Sequence, residues 1–167
     1  MRKLVFLGAG CLMLVNSAAL ADCLDVPLQA RLVDEDHQYK EGARLPRGSE
    51  AFHVRNEQEM LLVKKAVIFT GGEIVDAQQE FDKATYTPIV DITLDSRGAS
   101  AFKNATRDNI GKRIAIILFE QDKGEIITAP VIREEIGGGR IRISGSMSIA
   151  EAQNIVAAIK CQAQQRH

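Results

Sequence analysis

Three groups of residues have the types and spacing to do chemistry. Asp34-Glu35-Asp36-His37 sets three carboxylates beside an imidazole, the donor types that hold divalent cations. Four consecutive side chains do not converge on one ion without a dedicated loop, and the alternate-residue spacing of a calcium loop is absent, so the run reads as a solvated acidic turn. Gly137-Gly138-Gly139 has the composition of a phosphate cradle. It leads into a strand pattern, however, where an anion would meet no helix N-terminus, and it reads as a turn. The third group is cationic: Arg133 before the glycine turn, then Arg140, Arg142 and Ser144 beyond it. It has two readings, a charged sheet edge that resists stray pairing or the rim of a binding surface.

The arrangements that enzymes use are not found. There is no His-Glu-x-x-His pair for zinc, no Cys-x-x-Cys, no serine in a nucleophile elbow, and no Walker loop ahead of Lys-Ser or Lys-Thr. His53 and His167 have no evident partners. The expectation is a protein that is not an enzyme, with no metal, no cofactor and no catalytic residues.

The elements that would position the arginines are clearest from Pro88 onward. Val90, Ile92 and Leu94 alternate with Asp91 and Thr93, which predicts a half-buried strand. Asp95 or Ser96 then caps a helix with Ala99, Phe102, Thr106 and Ile110 on its inner face, ended by Gly111. The apolar run Ile114 to Phe119 predicts a strand covered on both faces, and Glu125 to Ile132 its partner, with Pro130 at an edge or bulge. Arg140 to Ser144 predicts a strand with both arginines on its wet face. Ser148 and Glu151 form a capping box ahead of an apolar stripe of Ile149, Ala152, Ile155, Val156 and Ile159.

Upstream the signal is weaker. One strand is predicted over Leu28 to Val33, a long loop over His37 to Ser49, and short strands over Met60 to Val63 and Ala66 to Phe69 before Gly71-Gly72. The fold class is α+β, an antiparallel sheet with two helices packed on one face, preceded by a loop-rich N-terminal segment.

The chain of 167 residues opens with Arg2 and Lys3, an apolar run from Leu4 to Val15, and Ala19-Leu20-Ala21. This is the order of a secretory signal peptide cut after Ala21. The run is shorter than the ~20 residues that cross a bilayer, and no later segment is apolar enough to do so. A lipid anchor at Cys11 or Cys23 is the minor alternative, each in a context that departs from the lipoprotein pattern. The mature chain keeps Cys23 and Cys161 near its ends, in a compartment that permits a disulfide. Closure of so long a loop is worth ~4–5 kcal/mol in the chain-entropy view. Two free buried thiols are the other reading. Without Arg2 and Lys3 the 21 basic residues fall to 19 against 22 acidic ones, a net charge of −3. With 5% aromatic residues, nothing favours a nucleic-acid partner. The expected division is a leader over 1–21, an irregular segment with one strand over 22–58, an α+β domain over 59–162, and a tail over 163–167.

Within that domain, Thr87-Pro88-Ile89-Val90-Asp91-Ile92-Thr93-Leu94-Asp95-Ser96-Arg97-Gly98-Ala99 resembles the strand-to-helix passage of the first periplasmic domain of SecD, a membrane subunit of the bacterial secretion machinery. Three further blocks resemble the same domain in the same order: Asn109 to Ala115, Ile127 to Glu134, and Ile143 to Ser148 through Ala152. Thr70 to Ala77 looks like the segment ahead of the head. The resemblance covers about Glu59 to Lys160, and more faintly Leu28 to Glu35. It implies the periplasmic head of SecD, which holds or guides polypeptides emerging from the channel and has no catalytic residues. SecD continues into transmembrane helices, whereas this sequence ends at His167, so the expectation is a head without the membrane motor.

Two functions follow as expectations. The first is a soluble periplasmic module that binds unfolded or emerging exported polypeptides, or the secretion channel, through strand addition at an open edge, either Arg140 to Ser144 or Glu125 to Pro130. The alternative is a docking module that kept the fold, binds an envelope protein and has no part in secretion.

Overall fold

The computed structural model describes residues 28–120 and 123–165. The expected leader, both lipidation candidates, Cys23 and His167 lie outside the described residues.

The order is β1 (Leu28–Val33), β2 (Ser49–Val54), β3 (Met60–Thr70), β4 (Ile74–Phe81), β5 (Pro88–Leu94), α1 (Ser96–Asp108), β6 (Ile114–Glu120), β7 (Lys123–Thr128), β8 (Arg140–Ser144) and α2 (Ile149–Gln165). The fold is α+β, but it has two sheets where the sequence predicts one. Strands β1, β3, β2, β7 and β6 close into a barrel, while β4, β5 and β8 form a separate three-stranded sheet.

The division follows from β6. Ile114, Ala115, Ile116, Ile117 and Leu118 are all buried, as an unbroken apolar run requires, but successive side chains enter different cores. Ala115 and Ile117 join Val33, Phe52, Leu61, Val63 and Ile126 in the cluster of barrel strands. Ile114, Ile116 and Leu118 join the larger cluster with Val90 and Ile92 of β5, Phe102 of α1 and Ile155 of α2. Both faces of β6 are covered as expected, yet one of them by its own barrel.

The N-terminal segment is more regular than its composition suggests. It supplies β2, which pairs antiparallel with β3 and parallel with β7, inside a stretch read as irregular. The two short strands expected between Met60 and Phe69 are one continuous strand of 11 residues.

Asp34 corrects the reading of a solvated acidic turn. It is 2% exposed at the end of β1, accepting hydrogen bonds from Ser49 Oγ at 2.5 Å and Lys64 Nζ at 2.7 Å, with His37 Nδ1 at 3.1 Å. Burial would raise its pKa, but the hydrogen bonds from Lys64, Ser49 and His37 outweigh it and hold the carboxyl well below the usual carboxylate range. Glu35 turns instead to Arg113, at 2.9 and 3.2 Å. The acidic run thus serves several separate partners in the folded chain.

Helix α1 starts where Asp95 Oδ1 accepts the Gly98 N–H at 2.7 Å. Phe102 and Thr106 are buried, and Phe102 meets Phe69 edge-on at 5.7 Å. Ile110, expected on the inner face, is 59% exposed, because the helix has ended at Asp108 and Gly111, at φ +86, turns the chain away. In α2 the reciprocal bonds of the capping box are present: Ser148 N–H to Glu151 at 2.7 Å and Glu151 N–H to Ser148 Oγ at 3.2 Å. Ala152, Ile155 and Ile159 are buried, whereas Ile149 stands half exposed.

Helix α2 packs on β4 and β5, and α1 on β5 and β3. The other face of the three-stranded sheet is polar, with Asp76 and Glu80 on β4, Asp91 on β5, and Arg140 and Arg142 on β8. Arg55, just past β2, bonds Glu125 of β7 at 2.9 Å and also Glu151 of α2, joining barrel to helix.

Candidate functional site

Among the described residues β8 forms an edge of its sheet, with β5 on one side and no strand on the other. The Leu94 N–H donates to the Gly139 carbonyl at 2.8 Å. By the alternation of an antiparallel ladder, Ile141 and Ile143 also turn their backbone groups toward β5, and Arg140, Arg142 and Ser144 turn theirs away. Ile143 is buried against the core, and the side chains of Arg140, Arg142 and Ser144 are exposed.

Facing this edge is the segment from Pro130 to Ile136, which follows β7 and meets α1 at Thr106 and Lys103. Pro130 stands just past the end of the regular β7 ladder, in keeping with its missing N–H. Ile132 fastens the segment by a buried side chain and two backbone bonds, its N–H to the Lys112 carbonyl and the Gly111 N–H to its own carbonyl, both 2.8 Å. Further along, the Ile136 N–H donates to Thr106 Oγ1 at 3.0 Å.

Between segment and edge lies a groove of about 330 Å³. Its floor includes Phe102, Ile114, Ile116 and Ile132, and Val131 and Ile136 are exposed apolar residues on its wall. Arg133, Arg140, Arg142 and Ser144, singled out from the sequence, all line it. The sequence reading missed Val131, Ile136 and Thr106. Val131 falls inside the strand expected to run to Ile132, which ends instead at Thr128. Ile136 lies in a stretch without strand or helix periodicity, and a threonine in an apolar helix stripe reads simply as core.

The arginines differ in their partners. Arg142 is held by Asp91 through Nε at 2.7 Å and Nη2 at 2.6 Å, and reaches Glu80 at 3.4 Å. That guanidinium holds the Asp91 carboxyl below the usual carboxylate range, and Arg142 is itself raised, first by the hydrogen bond to Asp91. Arg133 and Arg140 have no ion pair among the described residues. The second edge considered from the sequence, Glu125 to Pro130, is not open: Glu125 and Ile126 pair with β6 on one side and β2 on the other, because the barrel closes there. Cys161 is half-buried in α2, and its expected partner Cys23 lies outside the described residues.

The groove can therefore offer an extended chain backbone donors and acceptors at alternate residues of β8, an apolar floor, and two guanidinium groups without an ion pair among the described residues. Among the described residues no cluster of His, Cys, Asp or Glu is arranged to hold a metal, and no helix is long and apolar enough to cross a membrane.

The family model described as SecDF, P1 head subdomain, matches residues 49–163. The chain is 34% identical over 139 residues to the protein translocase subunit SecD of Desulfurispirillum indicum, covering 77% of this chain and 26% of that protein. It is 39% identical over 110 residues to the SecDF subunit of Thermus thermophilus, covering 64% and 14%. This chain thus spans about a quarter or less of these curated relatives. A solved structure described as a membrane component SecDF that enhances protein export superposes with a TM-score of 0.59 at 31% identity, covering 82% of this chain and 63% of that one. SecDF in a super-membrane-facing form gives 0.57 at 31% identity, covering 80% and 18%. On these matches this chain belongs to the family of SecDF P1 head subdomains.

Proposed function

We propose that this chain works in the periplasm as a polypeptide-handling module of protein export, taking an extended segment of an exported protein as an added strand on β8. The observation that carries the reading is the open edge of β8 beside an apolar groove. An exported chain emerges unfolded, with unpaired backbone groups and exposed apolar side chains. Strand addition satisfies the first, and the groove floor covers the second. Binding through the backbone tolerates many sequences, as a module serving many clients requires. The family supports the setting, since its members include translocase subunits. In this reading residues 1–21 act as the leader and are removed after Ala21.

The test is photo-crosslinking in living cells, with the probe residue at Ser144 or Arg140 and products identified by mass spectrometry. Many unrelated exported proteins, or the secretion channel itself, are the expected products. A single envelope protein unrelated to export would overturn the reading and make the chain a docking module.

A further inference from the structure

We infer that the β8 groove selects extended segments in which apolar residues alternate with acidic ones, the acidic position lying beside Arg140. This rests on the proposal that the groove binds polypeptide, and it specifies which polypeptide.

A strand added to β8 continues the sheet and takes on its alternation of faces. Residues in register with Ile141 and Ile143 point toward the groove floor, where Phe102, Ile114, Ile116 and Ile132 lie. Residues in register with Arg140, Arg142 and Ser144 point to the polar outer face. One face of the added strand therefore has to be apolar.

The other face is decided by charge. Across β8 and β5, Arg142 stands opposite Asp91 and is bonded to it, with Glu80 of β4 within reach. Its charge is already matched on the side away from the vacant edge. Arg140 stands opposite Thr93, which is neutral. From the facing wall comes Arg133, also without an ion pair among the described residues. Glu134 is the acidic residue on that wall, and Glu135 is drawn off to Lys103 at 3.4 Å. The vacant edge is thus left with more positive charge than negative. Cross-strand neighbours of opposite charge stabilise a sheet, and like charges directly opposite destabilise it. A glutamate or aspartate beside Arg140 is favoured, and a lysine there is rejected.

The experiment uses the mature chain and fluorescein-labelled, capped heptapeptides read by anisotropy. The probes alternate valine with glutamate, with lysine or with threonine, and a further peptide has the valine–glutamate composition in blocks. The valine–glutamate peptide is expected to bind about tenfold more tightly than the valine–lysine peptide, with threonine between them. Arg140→Glu should reverse that order with an unchanged far-UV spectrum, since Arg140 is exposed and supports no other group. Equal binding of the glutamate and lysine peptides overturns the charge selection and leaves the polypeptide reading standing. Equal binding of the blocked peptide overturns the alternation. Failure of every peptide, threonine included, overturns the polypeptide reading itself.

Discussion

Thr106 and Ile136 are joined by a hydrogen bond that fixes one wall of the groove to α1. The fully buried Thr106 hydroxyl accepts the Ile136 N–H at 3.0 Å and donates back to the Phe102 carbonyl at 2.9 Å. Valine has the same shape but cannot accept. Thr106→Val should destabilise the fold by ~1 kcal/mol, the usual net worth of one hydrogen bond, since water can reach the Ile136 N–H. Urea unfolding measures this. Thr106→Ser, which restores the acceptor, should recover most of it.

Asp34 should make stability depend on acid. Its folded pKa lies below its unfolded value, so its contribution is fully present above pH ~4, near the unfolded carboxyl, and is lost as pH falls toward the folded value. Between pH 5 and 2 the urea midpoint of the unaltered chain should fall more steeply than that of Asp34→Asn. Parallel slopes would show that other carboxylates carry the acid sensitivity.

These two residues also mark what the sequence discloses. Where alternation is clean and one face is dry, as in Val90-Asp91-Ile92-Thr93-Leu94, the strand is evident from the residues. β4 escapes because a register shift between Ile74 and Asp76 breaks the period of two, and its later residues are mostly polar. β3 looks divided because Lys64 and Lys65 interrupt it, although they stay in the strand and reach out to Asp34 and Glu50. Asp34 looks wet because Glu35, Asp36 and His37 follow it directly in sequence. Its burial depends on Ser49 and Lys64, both distant along the chain. The arginines of the groove were visible as a cluster, but the barrel that closes β7 and leaves β8 as an edge depends on long-range pairing that no local pattern encodes.

At Gly145 the chain leaving β8 passes close against β7 of the barrel. A Cβ there would stand 2.2 Å from the Ile127 carbonyl oxygen. Gly145→Ala should therefore destabilise by about 3 kcal/mol, the upper part of the usual range for overpacking. Gly138→Ala is the control, since a Cβ there meets nothing within 4 Å, and its thermal midpoint should stay within a degree or two of the parent.

Cys23 and Cys161 are proposed to be bonded in the exported protein. Thiol titration of the mature chain unfolded in guanidinium should find no free thiol before reduction and two after it. The closed loop would contribute ~4–5 kcal/mol, so reduction should lower the unfolding midpoint distinctly. Two titratable thiols in the unreduced chain would refute the bridge.

β6 is a party wall between two rooms, with Ala115 and Ile117 facing the barrel strands and Ile114 and Ile116 facing the sheet and helices. Neither room can be dismantled while the other keeps its wall in place. Barrel and sheet should therefore melt in one transition, and the β6 amides should exchange with solvent only when the whole molecule opens. A load applied at the β8 edge can then pass into the barrel without any hinge, through the core shared at β6, the turn of Gly145 against Ile127 and the Arg55–Glu151 pair.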